Sequence, residues 1–231
     1  MSDTSSHSHF LTSSLSKFRL VVFDLDGTLV DSRRDLAESA NQLLEQCGAP
    51  PLAEEAIGRM VGDGAATLVA RVFAATKMPQ PVDALPRFLT LYNSRLLRFT
   101  TPYPGIPDLL AAVQARATLA VLTNKPLAAA RTILDGLDLS RFFGDRVVGG
   151  DGPFSRKPSP EGLAHLMGSV GVSSATTLLV GDSVIDWRTA HAAGAFSCVA
   201  RYGFGFDGFP ADSLRPGDRV IDHPAELLAL L

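Results

Sequence analysis

Cysteine is scarce in this 231-residue chain. The two present, Cys47 and Cys198, lie far apart and lack the paired spacing of a metal knuckle. That excludes a disulfide-stapled scaffold and points to free thiols in a reducing compartment, so a cytoplasmic protein is expected. Long apolar runs are also missing. None approaches the roughly 20 residues of a membrane span, and no membrane partner is expected. Nor is there an excess of one charge: 21 Lys and Arg against 24 Asp and Glu leave a net −3. That balance gives no electrostatic footing for nucleic acid or an anionic membrane. Internal repeats are absent too.

The first residues, 1–17, are Ser/Thr-rich. They have neither the basic start and apolar stretch of a secretory signal nor the arginines of a transit peptide. A mobile tail is expected there, with His7 and His9 solvated rather than metal-bound.

What the chain does have is apolar residues in short blocks. With 46% hydrophobic and 19% charged residues it fits a globular protein. A chain of this length buries roughly 70% of its unfolded surface on folding, enough for one large domain or a domain with an insertion. The stretches LVVF, TLAVLTN, DRVVGGD, TTLLVGDS, FSCVA and RVIDH read as strands, DRVVGGD as a short strand and turn. Between them lie helical patterns, such as PLAAARTILDGLDL, SPEGLAHLMGSVG and DWRTAHAAG, with a final helix over PAELLALL. Strands that are apolar throughout and alternate with helices imply a parallel sheet covered on both faces. The expected fold is therefore α/β, Rossmann-like. From about Arg33 to Thr100 only helical patterns occur, including RRDLAESANQLLEQCG and VDALPRFLTLYNSRLLRF, with Pro86 starting or kinking the latter. The chain thus divides into a core, 18–32 and 100–231, and a helical insertion, 33–99.

In an open parallel sheet, ligands bind beyond the carboxyl ends of the strands. There the sequence turns abruptly polar. VVFDLDGTLVDS places Asp24 and Asp26 at the end of the first strand. Thr123-Asn124-Lys125 end the second, and Gly181-Asp182-Ser183, with Asp186 beyond, end a later one. Lys157 sits in the turn SRKPSP. Four carboxylates, a hydroxyl and an ammonium at one edge need a cation to coexist, and oxygen ligands favour a hard one such as Mg²⁺. Thr123 and the N–H groups near Gly27 and Asn124 can hold phosphate oxygens. The ensemble suits phosphoryl transfer.

These motifs, DLDGTLVDS, TN, KP and GDSVID, are similar in order and spacing to the four signatures of the haloacid dehalogenase (HAD) superfamily. The resemblance runs from about Arg19 to the C-terminus, and the helical insertion resembles that family's C1 cap. It implies Asp24 as nucleophile, Asp26 as general acid and base, Thr123 as phosphate-binding hydroxyl and Lys157 as partner of nucleophile and phosphate. It also implies Asp182 as Mg²⁺ ligand beside Asp24 and the Asp26 main-chain carbonyl, with Asp186 steadying the metal site. On these grounds Mg²⁺ and Lys157 are expected to depress the Asp24 pKa. The stretches MVGDGAATLV, VLTNKP and RYGFGFDG look like phosphoglycolate phosphatases within the family. Gly62 and Gly64 would then let backbone approach a small phosphate ester from the cap side. Pyrophosphate, a sugar phosphate or a nucleotide are the alternative substrates. A phosphomutase, or a protein that binds Mg²⁺ and phosphate without turnover, are the alternative functions; a monomer and a homodimer are both open. Arg33 and Arg34 either contact a substrate carboxylate or are solvated. Lys125 is either a surface charge or a substrate contact. His165 and His191 are expected to be partly buried structural residues, and the Phe residues of GFGFDGF to pack a loop.

Overall fold

The computed structural model describes residues 17–207 and 209–231. The expected tail therefore lies outside the described residues, His7 and His9 included. Lys17 is described, its Nζ 3.6 Å from the centroid of the Phe196 ring.

Six strands form one parallel sheet: β1 (Leu20–Phe23), β4 (Thr118–Leu122), β5 (Val147–Val148), β6 (Thr177–Gly181), β7 (Phe196–Ala200) and β8 (Arg219–Ile221). Their order is β5-β4-β1-β6-β7-β8. The apolar strand blocks make this sheet because both faces are covered. Val21 and Phe23 belong to one buried cluster and Leu20 and Val22 to another. The first cluster is completed by α5 (Ile106–Gln114), α6 (Leu127–Gly136) and α7 (Ser140–Phe143), the second by α8 (Glu161–Val170) and α9 (Val184–Ala192). Alternate residues of each strand thus feed opposite layers.

β1 is central, with Phe23 level with Val121 of β4 and Val180 of β6. Ladder bonds continue past the strand ends: the Asp24 N–H donates to the Val180 carbonyl and the Thr123 N–H to that of Val148. Register alone therefore brings Asp24, Thr123 and Asp182 to one edge. This is the switch point of the sheet, where β1 is flanked by strands reached in opposite directions.

Between β2 (Val30–Asp31) and β3 (Thr101–Pro102) lie four helices: α1 (Arg33–Gln46), α2 (Glu54–Gly58), α3 (Ala65–Thr76) and α4 (Ala84–Asn93). β2 and β3 pair antiparallel and form a two-stranded stem under the insertion. The stem escapes a pattern-based reading because two-residue strands carry no periodicity. Its clamp is Asp35, fully buried. Asp35 Oδ2 accepts from the N–H groups of Phe99 and Thr100 and from the Thr100 hydroxyl, all at 2.8 Å. The Arg95 Nε stands 3.5 Å from Asp35 Oδ1.

Two helices differ from the sequence pattern. α4 ends at Asn93, and residues up to Phe99 form turns, because Asp35 and Glu38 draw Arg95 toward α1. Pro86 sits in the first turn of α4, where its missing N–H costs nothing. The final segment, Pro224–Leu230, is a 3₁₀ helix.

Candidate active site

The edge residues open into one cavity of about 330 Å³ between the sheet and the helical insertion. Asp24, Asp26, Thr123, Asn124, Lys125 and Asp182 line it from the sheet side. Gly62 and Gly64 line it from the insertion, both at positive φ (118° and 89°), where a side chain would be strained.

Two ion-pair systems hold the carboxylates apart. In the first, the Lys157 Nζ lies 2.8 Å from Asp24 Oδ1 and donates to Asp186 Oδ1 at 2.6 Å. Asp24 Oδ1 also accepts from the Leu25 N–H. In the second, the Lys125 Nζ donates to both oxygens of Asp26, at 2.8 and 2.7 Å, and Ser32 Oγ adds a bond to Asp26 Oδ1. Lys125 is therefore no surface charge: it is 6% exposed and tied to one of the two acids of the first motif. The spacing gave no sign of this, because Lys125 lies 99 residues from Asp26.

Asp186 is braced from both sides. Its Oδ2 accepts from the N–H and hydroxyl of Ser183, and its own N–H donates back to Ser183 Oγ. This is a capping box at the start of α9, and Ser183-Val184-Ile185-Asp186 carries its signature with Asp in the acidic place. Asp182 sits in a cradle of three glycines. A Cβ on Gly27 would fall 1.9 Å from Asp182 Oδ2, one on Gly203 2.3 Å from Asp182 Cβ, and one on Gly205 2.8 Å from Asp182 Oδ2. The Gly205 N–H donates to that oxygen at 2.7 Å. Residues 201–207 thus shape the site as well as packing phenylalanines: Phe204 lines the cavity, and Phe206 stacks on Phe209.

Asp24, Asp182 and Asp186 are buried and offer oxygens all within 4.8 Å of one another. Asp26 contributes no carboxylate oxygen to this group; the expectation there concerned its main-chain carbonyl. Burial, reinforced by Asp186 against the pull of Lys157, raises the Asp24 carboxyl to about 6. Lys157 by itself does not depress Asp24, because the desolvation of the strand end outweighs one ammonium; the depressed value expected from Lys157 and Mg²⁺ together concerns the site with its cation. Asp182 is raised well above the ordinary carboxylate value by burial, then by Asp186 and Asp24. Burial alone would lower the Lys157 ammonium, but Asp186 and Asp24 raise it on balance. Three buried carboxylates against one ammonium leave negative charge uncompensated. All donors are oxygen, so the residues fit a hard divalent cation.

Asn124 ties the two walls. Its Nδ2 donates to the carbonyls of Gly62 and Lys157, at 2.9 and 3.0 Å, and its Oδ1 accepts from the Lys157 N–H at 2.8 Å. Thr123 Oγ1 accepts from the Lys125 N–H at 3.2 Å, which orients the hydroxyl.

Other candidates fall outside. Arg33 pairs with Asp31 and Glu54, and Arg34 pairs with Glu38 and stacks on Phe99; neither lines the cavity. His165 is exposed and stacks on Phe154. His191, half-buried, joins Asp218 and Trp187 in a structural cluster. Both cysteines are free. Among the described residues no helix is long and apolar enough to cross a membrane.

Comparison with known proteins agrees with this geometry. Residues 21–200 match the model of the haloacid dehalogenase-like hydrolases. A phosphoglycolate phosphatase of Rhodospirillum rubrum is 45% identical over 195 residues, covering 80% of each chain. A plasmid-borne phosphoglycolate phosphatase of Cupriavidus necator is 37% identical, over 91% of this chain and 92% of that one. A crystal structure from Haemophilus somnus, described as a predicted phosphoglycolate phosphatase, superposes with a TM-score of 0.86 at 30% identity, over 94% of this chain and 99% of the other. The buried acids at the sheet edge, the order of the motifs and these matches lead to one assignment: the chain belongs to the haloacid dehalogenase-like hydrolase family.

Proposed function

We propose that the protein is a Mg²⁺-dependent phosphatase that cleaves a small phosphomonoester, 2-phosphoglycolate, to glycolate and inorganic phosphate. The observation that carries this reading is the separation of Asp24 and Asp26 onto different ammonium partners around one cavity. Two neighbouring acids held in different environments can take different tasks.

Asp24 is the nucleophile: a carboxylate oxygen attacks phosphorus, and the ester P–O bond breaks. Asp26 gives its proton to the departing oxygen, releasing glycolate. It then takes a proton from water, which attacks phosphorus and frees phosphate and Asp24. Thr123 Oγ1 and Lys157 hold phosphoryl oxygens and keep them in line with Asp24. Asp24 and Asp182 would hold Mg²⁺ directly, with Asp186 bracing Lys157 and the turn. When bound, the cation offsets the charge that accumulates on the phosphoryl oxygens. In this reading residues 33–99 act as a cap on the core of 18–32 and 100–231. Asn124 and Gly62 join cap to core, and the apolar walls exclude water while the phosphoryl group is on Asp24.

A second reading keeps the chemistry and changes the ester. Leu68, Phe88 and Leu96 make much of the insertion side of the cavity apolar, which also suits a bulkier leaving group. Phosphate release from 2-phosphoglycolate, pyrophosphate, sugar phosphates, mononucleotides and an aryl phosphate, each with Mg²⁺ and with chelator, tests both. Mg²⁺-dependent turnover highest on 2-phosphoglycolate is the expected result. A higher kcat/KM on another ester moves the substrate, and turnover unaffected by chelator removes the metal from the account.

A further inference from the structure

The amino-terminal edge of the sheet, opposite the catalytic cavity, carries a groove of about 520 Å³. Its charged lining is Arg19 before β1, Arg116 before β4 and Arg146 before β5. The groove and the catalytic cavity share no lining residue. Arg19 and Asp24 flank the two ends of β1, about 17 Å apart at roughly 3.3 Å per residue, so a small ligand in the groove stays clear of the reacting groups.

No Asp or Glu lines this groove. Arg33, Arg34, Arg95 and Arg201 each meet a carboxylate. The three groove arginines form no ion pair among the described residues. Arg146 is half-buried, and its Nε donates to the Leu119 carbonyl at 2.8 Å, which sets the guanidinium in place. Arg116 follows α5, where an arginine can answer the helix dipole. Its Nη1 instead stands 3.4 Å from the Leu228 carbonyl. The Arg19 side chain has no hydrogen bond among the described residues. A guanidinium carries five N–H donors, so most of those around the groove are left for a ligand. Three like charges gathered in one concavity, in a chain of net charge −3, favour an anion there. Val170 and Val172, both half-buried, make part of the wall apolar.

We propose that this groove binds a phosphorylated organic anion of nucleotide size. Its phosphates meet Arg19, Arg116 and Arg146 through forked, charge-assisted hydrogen bonds, and its organic part lies on Val170 and Val172. The volume falls within the roughly 300–1,000 Å³ of small-molecule sites. The site is separate from catalysis and does not depend on which ester the enzyme cleaves. An anion held there joins the starts of β1, β4 and β5 and stabilises the fold by mass action.

Calorimetry on the whole chain in chelator tests it. Without a cation the catalytic cavity sets three buried carboxylates against one ammonium, which disfavours an anion there. The probe is adenosine 5′-(α,β-methylene)diphosphate, whose P–C–P link resists hydrolysis. It should bind one site per chain with a Kd of about 0.1 mM or lower, weaken as salt rises, and raise the melting temperature. Methylenediphosphonate has the same P–C–P unit without the nucleoside, and should bind about tenfold more weakly because it leaves the apolar wall uncovered. Arg19 and Arg116 are exposed, so Arg19→Gln and Arg116→Gln should keep the probe-free melting temperature. Each should weaken the adenosine probe about tenfold or more, as for loss of a charge-assisted hydrogen bond. No saturable binding by the wild-type protein overturns the site, and so does binding of undiminished strength in both variants. Equal affinity for methylenediphosphonate overturns the organic ligand assigned to it.

Discussion

The sheet side of the cavity presents Asp24, Asp26, Lys125 and Asp182, whereas the insertion side presents Leu36, Leu68, Phe88 and Leu96. The first wall is charged and stands on strand ends; the second is apolar and belongs to helices and their turns. A rigid strand end fixes a carboxylate within the small tolerance that bond making needs. An apolar wall contributes no reacting group, but it removes water and so strengthens every electrostatic contact beneath it. The division teaches where each kind of substitution should be felt.

The same contrast separates two buried aspartates. Asp35 is neutralised and held: its Oδ2 takes three hydrogen bonds, and the Arg95 Nε stands 3.5 Å from its Oδ1 as an ion pair without a hydrogen bond. It clamps the stem. Asp24 shares one ammonium with Asp186 and sits in an excess of negative charge. A carboxylate kept in that condition is set up for a cation or a reaction rather than for stability.

The largest expected effect is on the charged wall. Asp24→Asn should lower kcat by at least about a thousandfold, as loss of a nucleophile does. In chelator at pH 7.5 it should also raise the melting temperature, because it deletes one charge of a buried like-charge group. If the variant keeps wild-type kcat, the two walls do not differ in the way described. Next is the glycine cradle. Gly203→Ala would bring a Cβ 2.2 Å from the Gly27 carbonyl oxygen and 2.3 Å from Asp182 Cβ, so Asp182 must shift. The Mg²⁺ concentration for half-maximal activity should rise about tenfold, a displacement of about 1.4 kcal/mol in the binding of the ion. Asn124→Ala removes the ties to Gly62 and Lys157 that join the walls. KM should rise several-fold, and limited proteolysis should cut the 61–64 loop sooner.

The smallest effect is a dependence on pH. The Asp24 carboxyl is raised in the fold to about 6 from an ordinary 3.8. Between those values the folded chain binds more protons than the unfolded one. This group's contribution to stability is therefore full below about pH 4 and is lost as pH rises through about 6. In chelator, melting temperature corrected for the other titrating groups should fall over that interval. Added Mg²⁺ should restore it at pH 7.5 and do little at pH 5. An Asp24→Asn protein should lack this component.

The charged wall was legible in the sequence because apolar strand blocks end abruptly in Asp24, Thr123 and Asp182, and a parallel sheet aligns such ends. Other parts were not, for physical reasons. Lys125 looks like any surface lysine until the fold sets it against Asp26, and Asp35 looks like a helix-surface acid until the chain returns at Thr100. Both depend on contacts between residues distant in sequence. Gly203 and Gly205 read as loop glycines, and their closeness to Asp182 is likewise a product of the fold. The Ser183–Asp186 capping box was a local signal, available to a reading that looked for helix starts as well as strand ends. The apolar residues of the second wall have the spacing of an ordinary helix core, so nothing in the sequence marked Leu68, Phe88 or Leu96 as cavity lining.

The central claim is that Asp24 takes up the phosphoryl group. It is tested most directly by quenching the enzyme with acid during turnover of 2-phosphoglycolate and Mg²⁺, then weighing the peptide that contains Asp24. The account predicts a fraction of that peptide heavier by one phosphoryl group, assigned by fragmentation to Asp24 and absent in Asp24→Asn. Steady product formation with the phosphoryl group on another residue would contradict it.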